Sequence, residues 1–248
     1  MLTTMRAGAA CALFGLLAGF TPQQASAADD DAAPLLRLAK FEHERASHDV
    51  RFVANWVVHS ADNRTGHDHG LPFVIIDKKD ARVYVFDGNG RLRGAAPALL
   101  GMGIGDTALP GIGARELSNI APKDRITQAG RFVASLGPDT HGEQVLWLDY
   151  EGGLAMHRVV TANPKERRLQ RLATPTPLDN RISWGCINIP VKFFENVVLT
   201  SFHETKGIVY VLPETKPVNK FFASHDIEEQ ARKLLALQPE RDQGADGN

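Results

Sequence analysis

The stretch "NRISWGCINIP" at positions 180–190 places Cys186 between Gly185 and Ile187. A thiol in a glycine-backed turn suits nucleophilic chemistry. The thiolate attacks a carbonyl carbon, the glycine lets the backbone bend and come close to a ligand, and N–H groups at such a turn can face a developing oxyanion. The thiol needs a proton acceptor, most often a histidine near in space but not in sequence. Of the nine histidines, His157 lies inside the apolar run "LAMHRVV", which reads as a strand. A base on a rigid strand facing a nucleophile on a turn is the arrangement this chemistry requires. The same residues also fit blander roles: Cys186 as a small buried hydrophobe or the donor of an intermolecular bridge, and His157 as a satisfied core histidine.

The other cysteine, Cys11, falls in a segment with the pattern of a secretory signal. Arg6 is followed by an apolar run from Ala7 to Phe20 and by the small residues Ala25-Ser26-Ala27. Cleavage after Ala27 is expected, with no membrane segment left afterwards. The exported chain would keep one cysteine, in an oxidising compartment, with no internal partner. Without Arg6 it carries 27 basic and 29 acidic residues, a balance that argues against nucleic-acid binding. "His67-Asp68-His69", with His59 nearby, has zinc-type donors, but a structural zinc site wants four placed ligands and no metal is expected. "GMGIGDTALPGIG" at 101–113 lacks the strand–turn–helix context of a dinucleotide fingerprint and reads as loop.

The elements that must position these residues are mostly strands. Phe73–Asp77, Arg82–Asp87, Arg131–Leu136, Val145–Tyr150, Leu154–Val160 and Ile208–Leu212 are β-branched or aromatic runs. "DGNG" at 87–90 predicts a hairpin turn and "EGG" at 151–153 another. Val50, Val53, Ala54, Val57 and Val58 have helical spacing, with Ser47 or Asp49 as cap. Leu35, Leu38 and Phe41 suggest a shorter helix before it. Pro190 opens a short helix through Val198, and Ile227, Ala231, Leu234 and Leu235 mark a C-terminal amphipathic helix. Residues 161–182, with the basic "KERRLQR", form a long connection read as a lid or substrate rim, or as a solvated basic loop. Arg115 and Arg131 are candidate carboxylate binders.

"Ser183-Trp184-Gly185-Cys186-Ile187-Asn188" resembles the signature of the L,D-transpeptidase catalytic domain, the YkuD-type family. "ARVYVFDGNGRL" at 81–92 and "ITQAGRFVAS" at 126–135 are similar to further segments of that domain. The resemblance covers roughly 71–213. It implies a mainly β fold, a β-sandwich of mixed sheets, here with flanking helices in a 28–70 extension and a 214–248 tail. It implies Cys186 as acylated nucleophile and His157 as base, with Gly185, Ser183 and Asn188 in supporting and oxyanion positions. Trp184 stands where the family usually has a histidine; with Arg158 and Arg181 it is a candidate for substrate contact. The implied function is an exported, periplasmic or wall-associated acyltransferase on peptidoglycan stem peptides. A second stem or a protein amine would serve as acceptor, without metal, ATP or other cofactor. Water as acceptor gives an L,D-carboxypeptidase; the rival of another class is a non-catalytic wall-binding module. An activated thiol would alkylate well below the ordinary thiol pKa near 8.5.

Overall fold

A computed structural model describes residues 38–62 and 70–222. The signal-like segment 1–27, Leu35, His67-Asp68-His69 and the C-terminal helix marked by Ile227 to Leu235 lie outside the described residues. Among those described, no helix is long and apolar enough to cross a membrane.

Helix α1 (His48–Asp62) starts where Ser47 accepts a hydrogen bond from the Val50 N–H at 3.2 Å. Its Val50, Val53, Ala54, Val57 and Val58 are all buried, as their spacing predicts. The strands follow as β1 (Phe73–Asp77), β2 (Arg82–Phe86), β3 (Leu92–Pro97), β4 (Leu100–Gly101), β5 (Gly130–Pro138), β6 (Gln144–Asp149) and β7 (Leu154–Arg158). Then come α2 (Arg168–Ala173), β8 (Arg181–Ser183), β9 (Ile187–Ile189) and β10 (Gly207–Val211). Between β9 and β10 a helical stretch runs from Val191 to Ser201, with a π-helical middle at Phe194–Val198.

The described strands make a mainly β fold: one eight-stranded mixed sheet in the order β3-β2-β1-β10-β5-β6-β7-β9, and the small pair β4-β8. Strand β5 is the fold line. Its first half, Gly130 to Ala134, pairs with β10, and its second, Ser135 to Pro138, pairs with β6. The sheet thus has two leaves that share one core. Val74, Ile76, Val83 and Val85 of one leaf cluster with Leu146, Met156, Ile187 and Ile189 of the other, and Phe194, Val198 and Phe202 join them. The alternate residues of β1, Phe73 and Ile75, face a second cluster with α1 and with Val218, Phe221 and Phe222. Strands β1 and β10 are therefore buried on both faces, which is why they read as continuous apolar runs.

Residues 38–41 do not form the short helix their spacing suggested. Lys40 bridges Arg91 at the β2–β3 hairpin, with Lys40 N–H on the Gly90 carbonyl at 2.8 Å and Leu92 N–H on the Lys40 carbonyl at 2.9 Å. The backbone is satisfied by an extended pairing, so Phe41 is buried against Phe86, ring centroids 5.3 Å apart, while Leu38 stays exposed. Strand β3, whose sequence carries Gly94 and Pro97, and the three-residue β8 and β9 gave no strand pattern of their own.

A buried ion cluster ties the β1–β2 turn to the loops after β4 and β10. Lys78, in the β1–β2 turn, has a fully buried side chain; its Nζ lies 3.0 Å from Asp106 and 3.4 Å from Glu214, and donates to the Gly105 and Thr127 carbonyls at 2.5 and 3.0 Å. Arg181 pairs with Glu214 and donates to the Lys78 carbonyl at 2.9 Å. Burial alone would raise the Asp106 carboxyl, but the Thr215 hydroxyl, the Glu214 N–H and Lys78 outweigh it and hold its pKa at about 2. The folded value is below the unfolded one. The stabilisation, on the order of 2 kcal/mol, is therefore complete above about pH 4 and lost as pH falls through about 2. Lys78→Met leaves buried Asp106 without its cation, while Glu214 keeps Arg181, and is expected to cost about 3 kcal/mol, read as a lower urea midpoint at pH 7.

Candidate active site

Gly185 has φ +132°, and a Cβ there would meet the Ile126 carbonyl oxygen at 3.1 Å. Only glycine fits that turn without strain. Two hydroxyls then pin it. Thr127 Oγ1 donates to the Gly185 carbonyl at 2.7 Å while accepting the Gly101 N–H at 2.9 Å. Ser183 Oγ donates to the Cys186 carbonyl at 2.6 Å and accepts the Gly185 N–H at 3.2 Å. The Gly185 N–H is thus engaged. The Cys186 N–H has no hydrogen-bond partner among the described residues and is the donor left for an oxyanion.

Strands β7 and β9 run parallel with His157 opposite Asn188. Cys186 lies in the bend just ahead of β9, outside the paired residues. His157 Nδ1 lies 2.8 Å from the Arg158 carbonyl. A carbonyl only accepts, so Nδ1 carries the proton and Nε2 keeps its lone pair. Asn188 Nδ2 approaches that Nε2 at 3.4 Å and the Cys186 carbonyl at 3.4 Å.

The thiol is not hydrogen-bonded to the imidazole in this state. Cys186 Sγ donates to the Gly153 carbonyl at 3.3 Å, in the turn leading into β7. Burial pushes the Cys186 thiol up, only partly opposed by the Ala155 N–H. Burial also pulls His157 down, helped by the Arg168 charge and opposed by the Arg158 carbonyl and Asp139. Both partners are therefore neutral at rest. Alkylation well below the ordinary thiol pKa, the mark of a preformed thiolate, is not what this geometry gives.

Trp184, Gly185 and Cys186 line a cavity of about 110 Å³, together with Ile112, Arg115, Gln128 and Asp149. The Arg125 guanidinium stacks on the Trp184 ring, 3.3 Å from its centroid, and its Nε donates to the Ile120 carbonyl at 3.0 Å. Trp184 is thus a braced wall of the cavity. Arg158 and Arg181 are not brought to it. Arg158 lies over the Phe194 ring and pairs with Glu195 at 3.2 Å; Arg181 belongs to the buried ion cluster. Among the described residues no group of three His, Cys, Asp or Glu could hold a metal ion. The sequence reading did not single out Lys78, Arg125, Thr127 or Arg168. Thr127 and Arg168 stood inside the segments "ITQAGRFVAS" and "KERRLQR".

No protein-family model matches the chain, and no curated protein does. Among solved structures, the helical cell shape determining protein Pgp2 from Campylobacter jejuni is 15% identical with a TM-score of 0.39; 66% of this chain and 56% of that chain are covered. An L,D-transpeptidase from Mycobacterium smegmatis is 14% identical, TM-score 0.34, with 56% and 58% covered. An L,D-transpeptidase (Yku) from Stackebrandtia nassauensis is 12% identical, TM-score 0.34, with 65% and 67% covered. The chain spans little more than half the length of the first two. At such scores the likeness assigns neither a family nor an activity.

Two outcomes are expected. Iodoacetamide should label Cys186 with a pH midpoint above the ordinary thiol range near 8.5; a midpoint below it would contradict the neutral pair. Trp184→His should slow acylation of Cys186 in single-turnover assays, because imidazole leaves a void under Arg125 and a polar group with no partner. A faster variant would mean the indole is a defect in the site.

Proposed function

We propose that the protein is a cysteine acyltransferase of L,D-transpeptidase type that acts on peptidoglycan stem peptides outside the cytoplasm. The observation that carries this is Asn188, whose amide reaches both the Nδ1-anchored His157 and the carbonyl of Cys186, with Cys186 itself lining a cavity. The motif "SWGCIN" and the signal-like residues 1–27 support the substrate class and the export.

The chemistry follows from the neutral pair. As the Cys186 sulfur bonds to the stem's acyl carbon, its proton passes to His157 Nε2. The carbonyl oxygen gains negative charge near the free Cys186 N–H. The C–N bond to the terminal D-alanine breaks, and the leaving amine takes the proton from His157. A thioester remains. An incoming amine attacks it, gives its proton to His157, and sulfur leaves as the thiol. A low histidine pKa makes the protonated form a ready donor to the leaving amine.

One observation favours the rival of a non-catalytic wall-binding module: the thiol is bonded to Gly153 and not to His157. The two readings part in one assay. Purified protein is incubated with tetrapeptide muropeptides and products are read by mass. Acyltransfer predicts released D-alanine with 3→3 cross-links, or tripeptides if water accepts, and no release by Cys186→Ala with its fold retained. His157→Ala should lower the rate roughly 100-fold or more. Binding without release would select the module, and release by Cys186→Ala would remove the thiol from the reaction.

A further inference from the structure

The connection between β7 and β8 delivers a cation to the base. Helix α2 is seated by Leu172, which clusters with Leu99, Val159 and Ile182. Arg171 ties the segment to itself, donating to the Glu166 and Asp179 carbonyls, each at 2.8 Å. Arg168, at the first position of α2, is nine-tenths buried. Its Nε lies 2.5 Å from Glu166 Oε2 and its Nη1 donates to Asn188 Oδ1 at 2.6 Å. Asn188 is itself buried, at 1% exposure.

We infer that Arg168 is a positioning residue for His157, acting through the Asn188 amide. This rests on the acyltransferase reading only in that His157 is the base. A guanidinium can only donate, so the amide edge it holds must be the oxygen. The NH2 edge is then turned to His157 Nε2 and the Cys186 carbonyl. An N–H facing Nε2 is compatible with a lone pair there and clashes with a proton. The Arg158 carbonyl makes the matching demand at Nδ1, which must carry its proton. The two contacts together select the one neutral tautomer that can accept the thiol proton. The Cys186 carbonyl, 3.4 Å from Nδ2, favours the same amide orientation, but the 2.6 Å contact from Arg168 is the shorter restraint against a rotation that would present the oxygen and favour a proton on Nε2. Glu166 keeps the guanidinium fork aligned.

The charged groups that act on His157 are Arg168 from the β7–β8 connection and Asp139 from the β5–β6 turn; Glu166 faces Arg168, and His141 faces Asp139. Of these Arg168 lowers and Asp139 raises the histidine's proton affinity. The basic segment is thus neither a free lid nor a solvated loop at Arg168, although its other arginines are more exposed.

The test is NMR of the full chain with labelled histidine, reading the His157 ring tautomer and titration in wild type, Arg168→Met and Arg168→Lys. In Arg168→Met the Nε2–H tautomer should appear and the His157 midpoint should rise. Acylation of Cys186 should slow roughly 10- to 100-fold, the scale of a misplaced catalytic group. Arg168→Lys keeps a charge without the fork, so the midpoint should return toward wild type while the tautomers stay mixed. An unchanged tautomer and midpoint in folded Arg168→Met overturn the inference; if that variant does not fold, an unchanged tautomer in Arg168→Lys does so. The NMR readout needs no turnover. A wild-type protein that never releases D-alanine but shows these shifts removes the acyltransferase reading and leaves the positioning of His157 standing.

Discussion

A single buried ammonium, Lys78 Nζ, organises the back of the cleft. A lysine with no exposed side chain is costly, and burial lowers its pKa despite Glu214 and Asp106 beside it. The arrangement persists because each partner belongs to a different piece of chain. Asp106 fixes the glycine-rich loop after β4, Glu214 the segment after β10, and the Thr127 carbonyl the approach to β5. Thr127 then reaches forward with its hydroxyl to Gly185. The turn that carries Cys186 is thus bolted to an ion cluster by one threonine. Hydrophobic packing positions the two leaves of the sheet, but it is non-directional. Directional bonds of this kind are what hold backbone donors to the tolerance that oxyanion stabilisation requires.

The electrostatics of the site point to a nucleophile that is generated on demand. Burial pushes the thiol and imidazole pKa values apart in the sense that disfavours an ion pair. A neutral thiol resists adventitious oxidation and disulfide exchange, since the thiolate is the reactive species. The Gly153 carbonyl offers the thiol a resting partner next to Gly113, whose Cβ would collide with the Glu151 carbonyl. The two glycine turns therefore pack tightly over the nucleophile. A substrate that displaces the Gly153 contact would free the sulfur to engage His157, so that activation is coupled to occupancy of the cavity.

Much of this was legible in the sequence where the signal is local. The valines of α1 have the period of a helix, "DGNG" has the residues a hairpin turn needs, and the first four residues of β1 are apolar, ending at Asp77. Cys186 and His157 stood out as candidates because glycine precedes the one and a strand carries the other. What could not be read depends on tertiary placement. Lys78 and Lys79 are adjacent and alike on paper, yet one is fully buried and the other half exposed. Arg168 is one of three arginines in "KERRLQR", and only the seating of Leu172 decides which of them faces Asn188. Arg158 and Arg181, plausible as substrate contacts, are consumed by structural ion pairs. Leu38 and Phe41 carry helical spacing, but the hairpin's free edge offered the backbone a better partner.

The central claim is that Cys186 carries the acyl group. The most direct measurement is intact-mass and peptide-map analysis of the full chain quenched in acid during incubation with a tetrapeptide stem. The account predicts one adduct per chain, equal to the stem less D-alanine, on the peptide containing Cys186, and labile to hydroxylamine as a thioester is. An adduct on any other residue, or turnover with no adduct at any quench time, would contradict it.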